Sequence, residues 1–196
     1  SRWKFTAGTL WPKAAAAALV CLLAAPFYPI MVPILPPQKL VDYMGFLGVE
    51  PPKTEVGHVG PLMQLFGDQF GWEELVDDVA EVFHSLPPEE RAATAICASN
   101  YGEAGALNLY GPSRGLPPPI CAHQNHHYWG YRDFDGDTVI WLQRDRKSLA
   151  KLFRSVEKGK DHFHPWAMGE ENRTIHICRG FKTSLPELWP QLKSWN

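Results

Sequence analysis

The chain has 196 residues, 45% apolar and 20% charged, with a formal net charge of −2. That length fits one ordinary domain with an appendage. A near-neutral balance with no basic run or stripe excludes a nucleic-acid binder. The cysteines, Cys21, Cys97, Cys121 and Cys178, form no C-x-x-C pair, which excludes a zinc ribbon and a thioredoxin-like motif. Cys21 falls in an apolar segment and the others in expected buried strands, where a free thiol packs as a small hydrophobe. A disulfide among them stays open if the domain faces an oxidising compartment. The first residue is Ser1, not Met, as expected of a fragment or a processed chain.

Between Ala14 and Leu35 no residue is charged. As a helix this run reaches about 33 Å at roughly 1.5 Å per residue. The hydrocarbon core of a bilayer is about 30 Å thick, so the run can span it. Pro12 suits the first turn of a helix. Pro26, Pro29 and Pro33 kink its second half, which membrane helices tolerate better than soluble ones. Two rival readings exist. A buried soluble helix rarely runs this long without a polar face. A signal peptide accounts for Arg2, Lys4 and Lys13 as a basic start and for Ala14 to Ala25 as its apolar region. The apolar run continues through Phe27, Tyr28, Ile30, Met31 and Ile34, which favours a membrane span over residues 1–36. The basic residues precede the run, so its N-terminal side is expected in the cytoplasm and the rest outside.

Residues 37–60 mix a short apolar patch (Leu40, Tyr43, Met44, Phe46, Leu47) with Gly and Pro, and read as a juxtamembrane linker with a helical turn on the bilayer surface. Residues 61–196 read as the globular domain. Trp72, Leu75, Val76, Val79 and Phe83 recur at helical spacing. Ala93 to Ser99 reads as a buried strand. Asn100-Tyr101-Gly102-Glu103 opens a helix that Gly111-Pro112 closes. Pro119 to His123 and Thr138 to Gln143 read as strands. Asp145 caps a helix with Leu149, Leu152, Phe153 and Val156 on its apolar face. Thr174 to Cys178 is a further strand. Ser184 and Glu187 form a capping box for a last helix that buries Leu188, Trp189, Leu192 and Trp195. Strands alternating with helices predict an α/β fold: a small, mostly parallel sheet with helices on both faces, Rossmann-like and three-layered, preceded by one transmembrane helix.

Asn100-Tyr101-Gly102-Glu103 stands at a strand-to-helix junction, the carboxyl edge where α/β proteins bind ligands. A free helix N-terminus attracts an anion there, while a capping box between Asn100 and Glu103 explains both side chains without a ligand. With no G-x-G-x-x-G and no Walker sequence, a nucleotide is not expected. His123, His126 and His127 cluster beside Asn125, Tyr128 and Trp129, and His162 and His164 lie beside Asp161. Imidazoles so spaced can hold zinc or copper. The first cluster lacks a thiolate or carboxylate in register, and loops rich in His and aromatics also line carbohydrate sites. No metal and no cofactor is expected. Asp133, Asp135 and Asp137 resemble part of a calcium loop but lack its closing Glu, so a turn is the better reading. Gly111-Pro112-Ser113-Arg114-Gly115 matches G-x-S-x-G, but a helix precedes it and prolines follow, the reverse of a nucleophile elbow.

The ordered series Phe70-Gly-Trp-Glu-Glu-Leu-Val, Ser85-Leu-Pro-Pro-Glu-Glu-Arg, Asn100-Tyr-Gly-Glu-Ala-Gly-Ala, Gly115-Leu-Pro, His123-Gln-Asn with Trp129-Gly130, Cys178-Arg-Gly and Leu188-Trp-Pro resembles a bacterial family. It is that of the polytopic membrane glycosyltransferases related to protein O-mannosyltransferases, glycosyltransferase family 39. The resemblance is to the last membrane helix and the C-terminal extracytoplasmic domain, and covers essentially the whole chain. It implies a parent enzyme of the bacterial inner membrane that takes a sugar from a polyprenyl-phosphate donor and places it on a glycan, protein or lipid acceptor outside the cytoplasm. The family's catalytic aspartate lies far upstream and has no counterpart here, so no residue is expected to be catalytic. Asn100, Tyr101, Gly102, Glu103, His123, Asn125 and Trp129 are the expected ligand contacts. His126 and His127 depart from the family's aromatic residues, which weakens a shared metal site at His123, His126 and His127. The alternative is a signal-anchored, non-enzymatic periplasmic module that binds carbohydrate or metal.

Overall fold

Alanine, leucine and valine without a polar stripe build a helix that has no inside. In the computed structural model, which describes residues 10–51, 60–142 and 145–195, helix α1 (Leu10–Ala24) buries no residue. Pro26 and Pro29 each lack an N–H, and the helix tightens there into a 3-10 turn (Ala25–Phe27) before resuming as α2 (Tyr28–Met31). Together Leu10–Met31 form a 22-residue helix with mean hydropathy 2.0, long and apolar enough to cross a bilayer or serve as a signal sequence. Arg2 and Lys4, the expected basic start, lie outside the described residues.

The expected linker contains a helix of 11 residues, α3 (Pro37–Leu47), closed by Gly48 in the left-handed region at φ +67°. Its Leu40 and Met44 form a small core with Ile30, Leu62 and Phe66, flanked by Phe70 and Trp166. Residues 52–59 of that stretch lie outside the described residues.

The domain then runs α4 (Gln64–Gly67), α5 (Trp72–Ser85), α6 (Pro88–Ala92), β1 (Thr94–Ala98), α7 (Tyr101–Tyr110), β2 (Ile120–Cys121), β3 (Thr138–Leu142), α8 (Arg146–Leu152), β4 (Phe153–Asp161), β5 (Thr174–Phe181) and α9 (Leu185–Leu192). Among the described residues five strands form one sheet in the order β2-β1-β3-β5-β4. β1 pairs parallel with β2 and β3, and β5 pairs antiparallel with β3 and β4. Four strands therefore point one way and β5 alone is reversed.

Side chains alternate across the sheet. Ile96, Ile140, Leu142 and Ile175 meet α5 and α7 through Val76, Val79, Ala104 and Leu107. Cys97, Val139, Trp141 and Cys178 meet Leu149, Phe153, Leu185 and Trp189 on the other face. All five residues of β1 and of β3 are buried, as befits central strands covered on both sides.

Three expectations are corrected. Phe153 and Val156 belong to β4 rather than to the helix that Asp145 caps; α8 stops at Leu152. Their spacing of three suits a helix and not the two-residue alternation of a strand, and pairing with β5 overrides it. β4 is an edge strand carrying Arg154, Lys158 and Lys160, charges that discourage further pairing. Ser184 is the N-cap of α9 but its side chain makes no capping bond, so the capping box with Glu187 does not form. Trp195 lies beyond α9 and is 58% exposed. The cysteines are unbonded, with Cys97, Cys121 and Cys178 buried. Asp137 accepts from the Phe181 N–H at 3.1 Å, so the acidic loop serves as a turn pinned to β5. Gly136 in that loop is obligatory, since a Cβ would meet the Ala93 carbonyl oxygen at 2.1 Å.

Candidate functional site

β1 leaves the sheet at Ser99, and Asn100 caps α7. The Asn100 Oδ1 accepts from the Glu103 N–H at 2.8 Å, as a cap should. The Glu103 carboxylate reaches back one residue further than a capping box requires and accepts from the Ser99 N–H at 2.6 Å. The Ser99 hydroxyl donates to the Leu142 carbonyl, tying the ends of β1 and β3 together. The other face of Asn100 donates through Nδ2 to Glu171 Oε1 at 2.9 Å. Arg173 sets its Nε 3.2 Å from Glu103 Oε1.

Glu103 is fully buried and Glu171 nearly so. Burial, and next the neighbouring Glu171, push the Glu103 pKa up to about 8, against the opposing pull of Arg173 and the Ser99 and Asn100 N–H groups. Burial raises Glu171 as well, while Arg173 and the Asn100 amide draw it back. Two carboxyls thus face one guanidinium in a site where burial disfavours the charged form of both carboxyls. Among the described residues Glu171 Oε2 and Glu103 Oε1 accept no hydrogen bond, although the latter faces Arg173.

His123 follows β2 and bridges to Ser194 near the C-terminus. Its Nδ1 accepts from the Tyr101 N–H at 3.3 Å, and its ring stacks on Tyr101 with centroids 5.4 Å apart. Burial, and then His126, hold its pKa below the usual histidine value. The ring is therefore neutral at pH 7, with its proton on Nε2.

These elements surround a pocket of about 220 Å³ lined by Ser99, His123, Trp141, Arg173, Leu192 and Ser194. It lies at the carboxyl ends of β1, β2 and β3. The chain leaves β1 toward β2 on one side and β3 leads toward β4 on the other, so the pocket occupies a topological switch point.

The expected contacts divide. Among them only His123 lines the pocket; Asn100, Tyr101 and Glu103 lie beside it at the start of α7, outside the lining. Gly102 serves packing: a Cβ would meet the Trp72 ring at 2.8 Å. Asn125 and Trp129 sit on a 3-10 helix (Gln124–Trp129), both exposed and outside the pocket lining. The histidines turn to different aromatic partners: His126 to Trp129 at 4.4 Å, and His127 to Trp189, stacked at 5.4 Å. His162 pairs with Asp78 at 2.8 Å, and His164 stacks on Phe70 at 5.8 Å. Among the described residues no three His, Cys, Asp or Glu side chains converge as metal ligands. Ser113 donates to the Tyr110 carbonyl in a 3-10 turn, with no strand before it.

Glu171, Arg173, Trp141 and Ser194 were not legible as site residues. Trp141 reads only as a core position of β3, and Ser194 only as the tail after α9. The Glu170-Glu171-Asn172-Arg173 run carries no motif, and nothing in it points 71 positions back to Asn100. Comparison of the chain with protein-family models, with curated proteins and with solved structures finds no match.

Proposed function

We propose that this chain is the last membrane helix and extracytoplasmic domain of a bacterial inner-membrane glycosyltransferase related to family 39, and that its domain holds a sugar at the carboxyl edge of the sheet. The pocket beside Asn100 and His123 carries this reading. Its volume of about 220 Å³ is below the roughly 300–1,000 Å³ of drug-sized ligand sites, which suits one sugar ring and not a nucleotide. The lining offers what a polyol needs: the guanidinium of Arg173, the Nε2–H of His123, the hydroxyls of Ser99 and Ser194, and the ring of Trp141. A guanidinium already paired with Glu103 suits an uncharged sugar better than a free anion. Apolar clusters on both faces and the switch point support a Rossmann-like three-layer arrangement. The apolar Leu10–Met31 helix supports membrane residence.

The polyprenyl-phosphate donor, the glycan, protein or lipid acceptor, and the outside location rest on the family resemblance. This chain's own role is accessory: its residues hold and orient a sugar, and the transfer chemistry belongs to the upstream part of the parent. The test is sugar transfer by the parent enzyme in membranes, with His123→Ala and Ser194→Ala. Both trim the pocket and leave the buried Glu103–Arg173 pair intact. The expected result is a raised KM for one sugar-bearing substrate with kcat retained. Unchanged kinetics in both variants, or turnover by this chain by itself, overturns the proposal. Sugar binding without transfer by the parent identifies the non-enzymatic module instead.

A further inference from the structure

The residues that lead into β5 are each tied to a different part of the domain. Glu171 Oε1 accepts from the Asn100 amide at 2.9 Å, and the Glu171 N–H donates to the Met168 carbonyl at 2.9 Å. Asn172 Oδ1 accepts from the His164 N–H at 2.7 Å. The Arg173 carbonyl accepts from the His162 N–H at 2.7 Å. These bonds set the backbone of Arg173 beside the pocket, and Arg173 lines it.

Glu103 then turns the guanidinium. The Arg173 Nε lies 3.2 Å from Glu103 Oε1, and both atoms are buried without a hydrogen bond. The Glu103 side chain is 0% exposed and that of Arg173 18%. The Nε edge therefore faces inward, and the terminal nitrogens carry the exposed share. Among the described residues those nitrogens have no protein acceptor. A guanidinium is planar, and its terminal N–H groups form a rigid fork of donors. Capping does not explain the burial of Glu103, because Asn100 already caps α7. Taking a carboxyl out of water is costly unless it is paired, and the cation that Glu103 meets is Arg173.

We propose that Arg173 is the residue that reads the sugar, its two terminal nitrogens donating to two neighbouring ring hydroxyls, and that Glu103 is the positioning residue that aims it. The substrate class follows from the fork. Two parallel donors fit two acceptor oxygens held side by side, so the sugar carries adjacent free hydroxyls where it meets Arg173. A lysine ammonium at this position is a single point of charge and reads no such pair. The His123 Nε2–H and the Ser99 and Ser194 hydroxyls are left for the other ring positions. The inference rests on the reading of this pocket as a sugar site.

The test uses the full chain in micelles of dodecylphosphocholine, a detergent with no sugar headgroup. Binding of the methyl glycosides of glucose, galactose and mannose is read from tryptophan fluorescence, since Trp141 lines the pocket. The tightest binder is then compared with its monodeoxy analogue at each ring position. Loss of either of two adjacent hydroxyls should weaken binding about tenfold or more, as expected for a hydrogen bond to a charged group. Arg173→Lys should bind the parent glycoside and those two analogues alike. Glu103→Gln should weaken binding several-fold in the wild-type chain and leave it unchanged in Arg173→Ala, because Glu103 acts through the guanidinium. A merely structural role would cost the same in both backgrounds. An equal cost therefore removes Glu103 as the positioning residue. Should Glu103→Gln fail to fold, Arg173→Lys decides by itself. If His123→Ala abolishes binding while Arg173→Lys discriminates as the wild type does, the sugar site stands and this proposal falls. If no glycoside binds, the sugar site falls and the proposal with it.

Discussion

Helix α1 and strand β3 are both apolar, and they are solvated in opposite ways. α1 exposes every side chain, whereas β3 exposes none beyond a few per cent. In β3 each residue meets protein, with Val139 and Trp141 on one face and Ile140 and Leu142 on the other. In α1 the helix satisfies its own backbone and leaves its side chains to the surroundings. Apolar composition sets how much surface must leave water. It does not set whether protein or lipid receives it. Between these extremes lies α3, with one face in a protein core and Phe46 outside.

The sharpest way to break this comparison is to charge each region. Leu19→Lys with Leu22→Lys places two ammonium groups mid-helix, each costing about 2.5–3.5 kcal/mol of insertion. The chain should then be released from membranes by alkaline carbonate, with the unfolding transition of the sheet domain unchanged. Retention in the membrane would make the helix something other than a span.

Truncation in the sheet should act the other way. Phe153 is buried between Trp141 and Phe181. Phe153→Ala should cost about 3–5 kcal/mol in chemical denaturation and leave membrane retention untouched. A cost near zero would mean that Phe153 is not packed in the core of the sheet domain.

The carboxyl edge gives a smaller, pH-dependent signature. Glu103 keeps its proton up to about 8 in the fold and releases it near 4.5 when unfolded. The folded state therefore binds the extra proton between those values, and stability falls as pH rises through them. His123, His126 and His127 are held below 6.5 when folded, so their opposing contribution, a gain with rising pH, is complete near that value. Between about pH 6.5 and 8 the carboxyl pair dominates. Glu103→Gln should flatten the fall in denaturation midpoint across that window. An equally steep fall in the variant would remove Glu103 as its source.

Helix caps supply the smallest test. Asn100→Ala should cost about 0.5–2 kcal/mol, more if the Glu171 bond matters as much as the cap. Ser184→Ala should leave the melting temperature unchanged, because its side chain caps nothing.

Much of this was readable along the chain. The apolar run, the cap at Asn100, the helical spacing from Trp72 to Phe83 and the continuous apolar stretch of β3 are local patterns, set by backbone hydrogen bonding within a few residues or by burial. β4 was not readable, because the three-residue spacing of Phe153 and Val156 reads as helical and only pairing with a distant strand, β5, overrides it. Half of the site was also hidden. Asn100, Glu103 and His123 stood out as a cap and a histidine, but Glu171, Arg173 and Ser194 reach them only through folding. Sequence by itself determined which segments must leave water and where helices begin. Tertiary structure decided which of those segments pack against protein and which buried charges face one another, since both depend on partners that chain order does not bring together.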